Sequence, residues 1–407
     1  MTLSVKEIQE LIGCSENYKA SDYILEQLVD QEKRHALFSR FLSVEKDLSY
    51  DWFTEYFQIV FSDREGKKQD FTPQGLIDIA TGIAGDTVSN VDIGGGTGGL
   101  VIGRWNSNPE ATQYVEEYSD AVIPFLLFNL AIRNMNAVVR HGDSLHQDFK
   151  TTYTLTKGEQ FSDIDVVTDY QQQLNQSVVM NPPFSMKWER EKTLINDPRF
   201  KDFGLAPAGK SDYAFILTGL SKLDDNGTMV AIDSPGILFR GGAEGKIREK
   251  LLKANLIDTI ISLPEKTFQN TPTGTIILVL KKNRTTQDVL FIDASKEFEK
   301  QGKYNVVTTE HVANIIETYN KRQDISKVSH VASLDEIKVN EFNLNLSRYV
   351  STFEPEEEID LLALHKSITV VDKEISEATE LLNDLIGQLI SSDKNTAKFL
   401  EEVKHAY

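Results

Sequence analysis

The amino-acid sequence predicts an α/β fold with a mostly parallel sheet, preceded by a small helical domain and followed by a coiled-coil-like helix. Three observations carry this reading. From about residue 73 to 293, strand-like apolar runs alternate with helical patterns, as expected when parallel strands are joined by helical crossovers. Two of these runs end in glycines or prolines, in NVDIGGGTGGL and VVMNPPFSMKW. The final stretch places apolar residues at alternating spacings of three and four, which is a helical seam.

Residues 1–62 read as a helical domain, because Ile8, Leu11 and Ile12, then Tyr23, Ile24 and Leu28, then Trp52, Phe53, Tyr56, Phe57 and Val60 recur at helical spacing,. The polar segment Ser62–Asp70, broken by Gly66, reads as a linker,. Residues 63–350 form the α/β domain. Its strands are expected at Ser89–Ile93, around Tyr114 and Val115, and at Asn136–Asp143, Gln176–Met180, Gly227–Asp233, Ile257–Leu263 and Thr275–Lys282. Residues 351–407 form the tail. There, Leu361, Leu364, Ile368, Val371, Ile375, Ala378, Leu382, Leu385 and Leu389 make an a/d seam over four heptads, and 13 acidic residues stand against 5 basic ones. A narrow seam of this length is suited to meeting another helix.

Composition narrows the function. The chain has 407 residues, 40% hydrophobic and 26% charged, which is ordinary for a globular protein,. Its longest apolar run, Val122–Ile132, is too short to span a bilayer and contains Asn129,. Cys14 is the single cysteine, which excludes an internal disulfide and a cysteine-rich metal site. With no signal-peptide pattern at the N-terminus, a cytoplasmic setting is expected. The net charge is −19. Gripping DNA alone normally takes a basic surface, so any work on DNA implies a partner that supplies part of the grip.

Gly94, Gly96 and Gly99 match G-x-G-x-x-G at a strand-to-helix turn, where the absence of Cβ lets the backbone bend and approach a ligand,. Dinucleotide enzymes share this pattern. Glu117, with Glu116 as the alternate, stands about 20 residues on, where a carboxylate can hold ribose hydroxyls. Asp143 follows the next strand and can accept from an adenine amine, or simply make a turn. Asn181-Pro182-Pro183-Phe184 ends a further strand, because two prolines cannot continue a central strand. In a crevice beyond the strand ends, the Asn181 side-chain oxygen and the Pro182 carbonyl can accept the two hydrogens of a planar NH₂-bearing substrate, and Phe184 can stack on its face. Trp188, Phe203 and Lys187 are expected on the substrate side. His141, His146 and His365 form no metal-binding pattern, and no metal is expected.

In this order the motifs resemble the N6-adenine DNA methyltransferases, specifically the modification (M) subunits of type I restriction–modification systems, from about Gln69 to Val350. QDFTP (Gln69–Pro73) resembles the family's segment at the methionine end of S-adenosylmethionine, and DIGGGTGG its glycine loop, with Gly95 where cysteine is common and Ile93 where proline is common. NPPF is the family's catalytic tetrapeptide unchanged. KSDYAFI (Lys210–Ile216), GILFRGGAEGKIREKLL (Gly236–Leu252), ISLPEKTFQNTPTGTIILVLKK (Ile261–Lys282) and FNLNLSRYV (Phe342–Val350) also look like this family. The N-terminal helical segment is shorter than is usual there.

The resemblance implies a Rossmann-like domain that methylates N6 of adenine in double-stranded DNA using S-adenosylmethionine, with the target base flipped out of the duplex. It implies cofactor binding by Gln69, Phe71, Thr72, Pro73, Asp92, Gly94, Gly96, Thr97, Gly98, Glu117, Asp143 and Asn181, and catalysis by Asn181, Pro182, Pro183 and Phe184. It also implies a specificity (S) subunit as partner, two M subunits per S, and a restriction (R) subunit in systems that cleave. The competing readings are an RNA or protein amine/amide methyltransferase, a nicotinamide-dependent oxidoreductase, and an inactive scaffold subunit.

Overall fold

A computed structural model describes residues 3–14, 16–60, 71–268, 271–351 and 360–406. The chain divides into two compact units, Met1–Thr352 and Phe353–Tyr407. The expected linker Ser62–Asp70 lies wholly outside the described residues, and Gln69 with it.

The first unit begins with four helices, α1 (Val5–Ile12), α2 (Ala20–Leu28), α3 (Gln31–Leu42) and α4 (Thr54–Val60). Ser4 and Glu7 form a capping box that starts α1, and Gly13 at φ 75° ends it,. Helix α5 (Gln74–Ala84) leads into β1 (Ser89–Ile93), α6 (Gly99–Ser107), β2 (Thr112–Glu117), α7 (Ile123–Ile132) and β3 (Ala137–Asp143). Then come β4 (Asp148–Thr156), β5 (Asp163–Val167), β6 (Asn175–Met180), α8 (Asp212–Ser221), β7 (Leu223–Asp233), α9 (Gly242–Lys253), β8 (Ile257–Ser262), β9 (Ile276–Lys281) and β10 (Val289–Asp293). A hairpin of β11 (Glu299–Gln301) and β12 (Tyr304–Val306), α10 (Thr309–Lys321), β13 (Ser329–Ala332) and α11 (Leu334–Val339) complete the unit.

Eleven strands form one sheet in the order β13-β10-β8-β9-β7-β6-β1-β2-β3-β4-β5. Its centre, β7-β6-β1-β2-β3, is parallel, and β4 and β5 extend one edge antiparallel. The seven expected strands are present. β4 and β5 were not expected, because DFKTTYTLT alternates threonine with few large apolar residues.

Alternation along each strand divides the core in two. Val178 and Met180 of β6 and Met229 and Ala231 of β7 face a cluster shared with α8 and α9. Val179, Val230 and Ile232 face the opposite side with α5 and α10,. Central strands covered on both faces read as continuous apolar runs, and this made them visible in the sequence.

Helix α7 is buried along its whole length. The N-terminal helices cover it and share its core through Phe38, Phe41, Phe53, Phe125 and Phe128. No helix among the described residues is long and apolar enough to cross a membrane.

At the end of α7, buried Arg133 donates to the carbonyls of Leu48 (2.7 Å), Tyr50 (2.5 Å) and Asn129 (2.8 Å) and to Asn129 Oδ1 (2.9 Å). Burial pulls its pKa down to about 10 although Asp51 and Tyr50 oppose the shift.

The second unit consists of α12 (Leu361–Gln388) and α13 (Lys394–Ala406), which touch each other. Asp360 caps α12 by accepting from the amides of Leu362 and Ala363. The seam residues from Leu361 to Leu385 lie in α12 and are exposed, and Leu389 stands at its C-cap.

Arg133 should be the main polar tie between α7 and the segment before α4. Arg133→Met keeps the apolar stem but leaves carbonyls unpaired, so urea unfolding should show a loss of about 3 kcal/mol or more. Arg133→Lys should not restore it, because an ammonium cannot reproduce the fork. A loss below about 1 kcal/mol for Arg133→Met would refute this role.

Candidate active site

The site follows from strand order. β1 pairs with β2 on one side and with β6 on the other, both in parallel, so the chain reverses its direction of travel across the sheet at β1. Ligands of such sheets bind at this switch, beyond the carboxyl ends of the strands. In the β1–β6 register Val91 faces Val178, which brings Gly94 and Asn181, each three residues on, out of the sheet side by side. A Cβ on Gly94 would come within 3.9 Å of Pro182 and Pro183. The two motifs therefore meet.

Between and around them is a cavity of about 680 Å³. Its wall includes Phe71, Thr72, Asp92, Gly94–Gly96, Glu117 and Asp143 on one side and Asn181–Phe184, Met186, Lys187 and Trp188 on the other.

The glycine loop needs its glycines. Gly94, Gly96 and Gly98 have φ of 82°, 54° and 103°, a region costly for other residues. A Cβ on Gly95 would lie 2.3 Å from Val115 Cγ1. Glu117 closes the loop from below: Oε2 accepts from the Gly96 amide (2.9 Å) and Oε1 from the Ser119 amide (2.7 Å). The alternate, Glu116, is engaged in a buried ion pair with Lys222 (2.8 Å). Asp92 is buried, and neither of its oxygens has a hydrogen-bond partner among the described residues. Burial, and then the charge of Glu117, push its carboxyl well above the usual range.

Thr97 and Gly98 stand behind the loop rather than in the cavity wall. Buried Thr97 donates its hydroxyl to Asp51, and its carbonyl accepts from Asn129 Nδ2 at 2.7 Å. A Cβ on Gly98 would face Leu126 of α7. Asp51 also accepts from Asn129 Nδ2 (2.7 Å) and Thr54 Oγ1 (2.8 Å), and both Asp51 and Thr54 line the cavity. This link from the N-terminal helices to the glycine loop was missed in the sequence.

Phe71 lies over the loop, so a Cβ on Gly96 would meet its ring at 3.4 Å. Pro73 caps α5, and Thr72 Oγ1 accepts from Asn181 Nδ2 at 2.9 Å. That bond commits the donor half of the carboxamide to Thr72 and fixes its orientation. Phe184 packs edge-on against Phe268 at 5.8 Å. Trp188 and Lys187 line the cavity as expected, whereas Phe203 packs against the core cluster that contains Phe200 and Leu205.

Asp143 makes the turn considered for it and also faces the cavity. Oδ1 accepts from the amides of Leu145 (2.8 Å) and His146 (3.1 Å), a turn, while the residue lines the cavity. His146 lines it too. Tyr118, 60% exposed beside Glu117, is a further lining residue that no motif marked. No group of three or more metal-ligating side chains occurs among the described residues.

The central parallel sheet, the glycine turn and the cavity at the switch point are those of the Rossmann-like S-adenosylmethionine-dependent methyltransferase fold. The chain belongs to the N-6 DNA methylase family, whose model matches residues 46–358. It is 33% identical to the type I restriction enzyme MpnII methylase subunit of Mycoplasma pneumoniae over 82% of this chain and 63% of that protein. It therefore spans somewhat less than two-thirds of that relative's length. The MjaVIII methylase subunit of Methanocaldococcus jannaschii is 28% identical over 94% of this chain and 68% of its own. Among solved structures, the type I restriction–modification methyltransferase subunit of Streptococcus thermophilus aligns with a TM-score of 0.66 and 29% identity, covering 86% of this chain and 77% of that one.

His146 Nδ1 lies 2.7 Å from Asp143 Oδ2, and Nε2 lies 2.8 Å from the Glu189 carbonyl. Both partners are acceptors, so only the doubly protonated imidazolium satisfies both. Burial alone would lower its pKa, but the bonds to Asp143 and Glu189 and the nearby carboxylates outweigh burial and raise it. Stability from this bridge is therefore full below the ordinary histidine value and is lost as pH rises through the raised one. His146→Gln should destabilise more at about pH 5.5 than at about pH 8.5 by urea unfolding. Equal losses at both would contradict a charged bridge.

Proposed function

We propose that this chain transfers the methyl group of S-adenosylmethionine to N6 of adenine in DNA, as the modification subunit of a type I restriction–modification complex. One observation carries the reading: a single cavity joins the glycine loop to Asn181–Phe184, and it is lined by six acidic side chains, Asp51, Asp92, Glu116, Glu117, Asp143 and Glu189, against Lys187 and His146. Such a wall suits a cationic ligand rich in amine and hydroxyl groups. It opposes the pyrophosphate of a dinucleotide, which favours helix N-termini and positive surface, and so argues against the oxidoreductase reading.

The residues present fit the sulfonium cofactor. Gly94–Gly96 supply close backbone approach, Glu117 and Asp143 supply acceptors for ribose hydroxyls and an adenine amine, and the buried Asp92 supplies carboxyl oxygens beneath the loop. Phe71, Thr72 and Tyr118 complete that side. The outer residue of the QDFTP segment, Gln69, is assigned to the site by resemblance alone. When bound, the cofactor supplies an electrophilic methyl group.

The protein's own task is to prepare the amine, whose lone pair is conjugated with the ring. Asn181 Oδ1 and the Pro182 carbonyl accept its two hydrogens, favour its rehybridisation and orient the lone pair. The two prolines keep that carbonyl out of any strand ladder. Phe184, braced by Phe268, stacks on the base. The base must first leave the duplex, and stacking worth about 1–3 kcal/mol offsets part of that cost.

With a net charge of −19, the chain is repelled by DNA at long range, so a specificity subunit supplies positive surface and sequence reading. The exposed seam of α12 is the docking element for that subunit, and two M subunits per S follow from the family resemblance, as does an R subunit where cleavage accompanies modification. Work on chromosomal DNA accords with a cytoplasmic setting.

In complex with its specificity subunit, the wild-type chain should yield N6-methyladenine on nucleoside mass analysis. Asn181→Ala should lower kcat by roughly 10²–10³-fold, the scale for losing one transition-state hydrogen bond, and leave cofactor affinity nearly intact. N4-methylcytosine as product, or methylation of RNA or protein with none of DNA, would refute the substrate assignment. An unchanged rate for Asn181→Ala would refute the catalytic one.

A further inference from the structure

Three family-like segments have no part in the chemistry above, namely KSDYAFI, GILFRGGAEGKIREKLL and FNLNLSRYV. The fold brings them together behind the catalytic loop. Asp212, from the first segment, is fully buried at the start of α8, and its Oδ1 accepts from the Ser185 amide at 2.6 Å. Ser185 directly follows Phe184 and is a non-glycine residue at φ 51°. That left-handed conformation needs an outside restraint to persist.

The second segment holds the restraint in place. Arg240 donates to Asp212 Oδ2 at 2.9 Å and grips Glu244 with two bonds of 2.7 and 2.8 Å. Arg248 fastens the turn that carries Arg240 by donating to the carbonyls of Ile237 (2.9 Å) and Arg240 (3.1 Å). It also donates to the Phe342 carbonyl of the third segment at 2.8 Å. Tyr213, beside Asp212, donates to the same Ile237 carbonyl at 2.9 Å. Farther along the catalytic loop, the Met186 carbonyl accepts from the Ser211 amide at 2.9 Å.

We propose that Asp212, locked by Arg240 and Glu244, is a positioning residue that fixes the turn at Ser185 and thereby sets the Phe184 ring and the Asn181–Pro182 acceptors for the flipped base. This rests on the methyltransferase reading for its catalytic consequence, but the restraint itself is a property of the chain. Asp212 is fully buried and does not line the cavity. A carboxylate suits the place because its two oxygens face two donors, the Ser185 amide and the Arg240 guanidinium. Asparagine would retain one acceptor and turn a second donor toward a neighbour that also donates.

The test compares wild type, Asp212→Asn and Asp212→Asn/Ser185→Gly in the complex with the specificity subunit. Amide hydrogen exchange should rise roughly 10-fold or more in the segment around Ser185 of Asp212→Asn, with the glycine-loop segment unchanged. kcat should fall by roughly 10-fold or more while S-adenosylmethionine affinity stays within about 2-fold. Glycine adopts the left-handed turn without penalty, so Ser185→Gly should recover a substantial part of that kcat. Unaltered exchange around Ser185 in Asp212→Asn would overturn the proposal whether or not the complex methylates DNA. So would a kcat loss matched by equal losses in cofactor affinity and unfolding midpoint, with no recovery from Ser185→Gly, because Asp212 would then be a general structural support. Failure of the wild-type complex to methylate would refute the functional reading instead, and the exchange comparison would still decide the restraint.

Discussion

The parallel pairing of β1 with β6 is the constraint on which the rest of the site depends. With Val91 held opposite Val178, the glycine turn and the Asn-Pro-Pro-Phe loop leave adjacent strands at the same height. A register slip would reverse the faces of every side chain on β6. Val178 and Met180 point into one core and Val179 into the other, so burial on both faces fixes that register. Chemistry that brings a methyl donor against an amine requires reacting atoms about 3–3.5 Å apart. Such closeness is more reliably built between neighbouring strand ends than between independent loops.

Around that junction the chain uses buried polar ties rather than further apolar packing. Asp51 and Asn129 brace the glycine loop through Thr97, Arg133 braces Asn129, and Thr72 orients Asn181. On the other side, Asp212 and Arg240 hold the loop after Phe184. Hydrogen bonds fix direction as well as distance, which apolar contacts do not. Removing one partner strands the other in a low-dielectric interior, so each tie is costly to break.

Much of this was legible in the sequence, and the remainder was hidden for physical reasons. The central strands stood out because burial on both faces makes their runs apolar throughout. β4 and β5, at an edge, read as polar. Asn181–Phe184 and the glycine loop were recognisable because each is a short consecutive run of particular residue types. That Glu117 meets the Gly96 amide while Glu116 meets Lys222 needed coordinates, because the two carboxylates are adjacent in the sequence. Asp51 was invisible because its partners Thr97 and Asn129 lie 46 and 78 residues away. Tyr118 and His146 carried no local pattern either, and the latter's role appears only when Asp143 and the Glu189 carbonyl flank its ring.

The acid-lined cavity over β1, β2 and β6 is proposed as a sulfonium-cofactor site and not a dinucleotide site. Titration calorimetry of the full chain with S-adenosylmethionine and, separately, with NAD addresses it directly. Saturable binding of one S-adenosylmethionine per chain and no measurable heat from NAD are expected. Saturable binding of NAD with none of S-adenosylmethionine would contradict it.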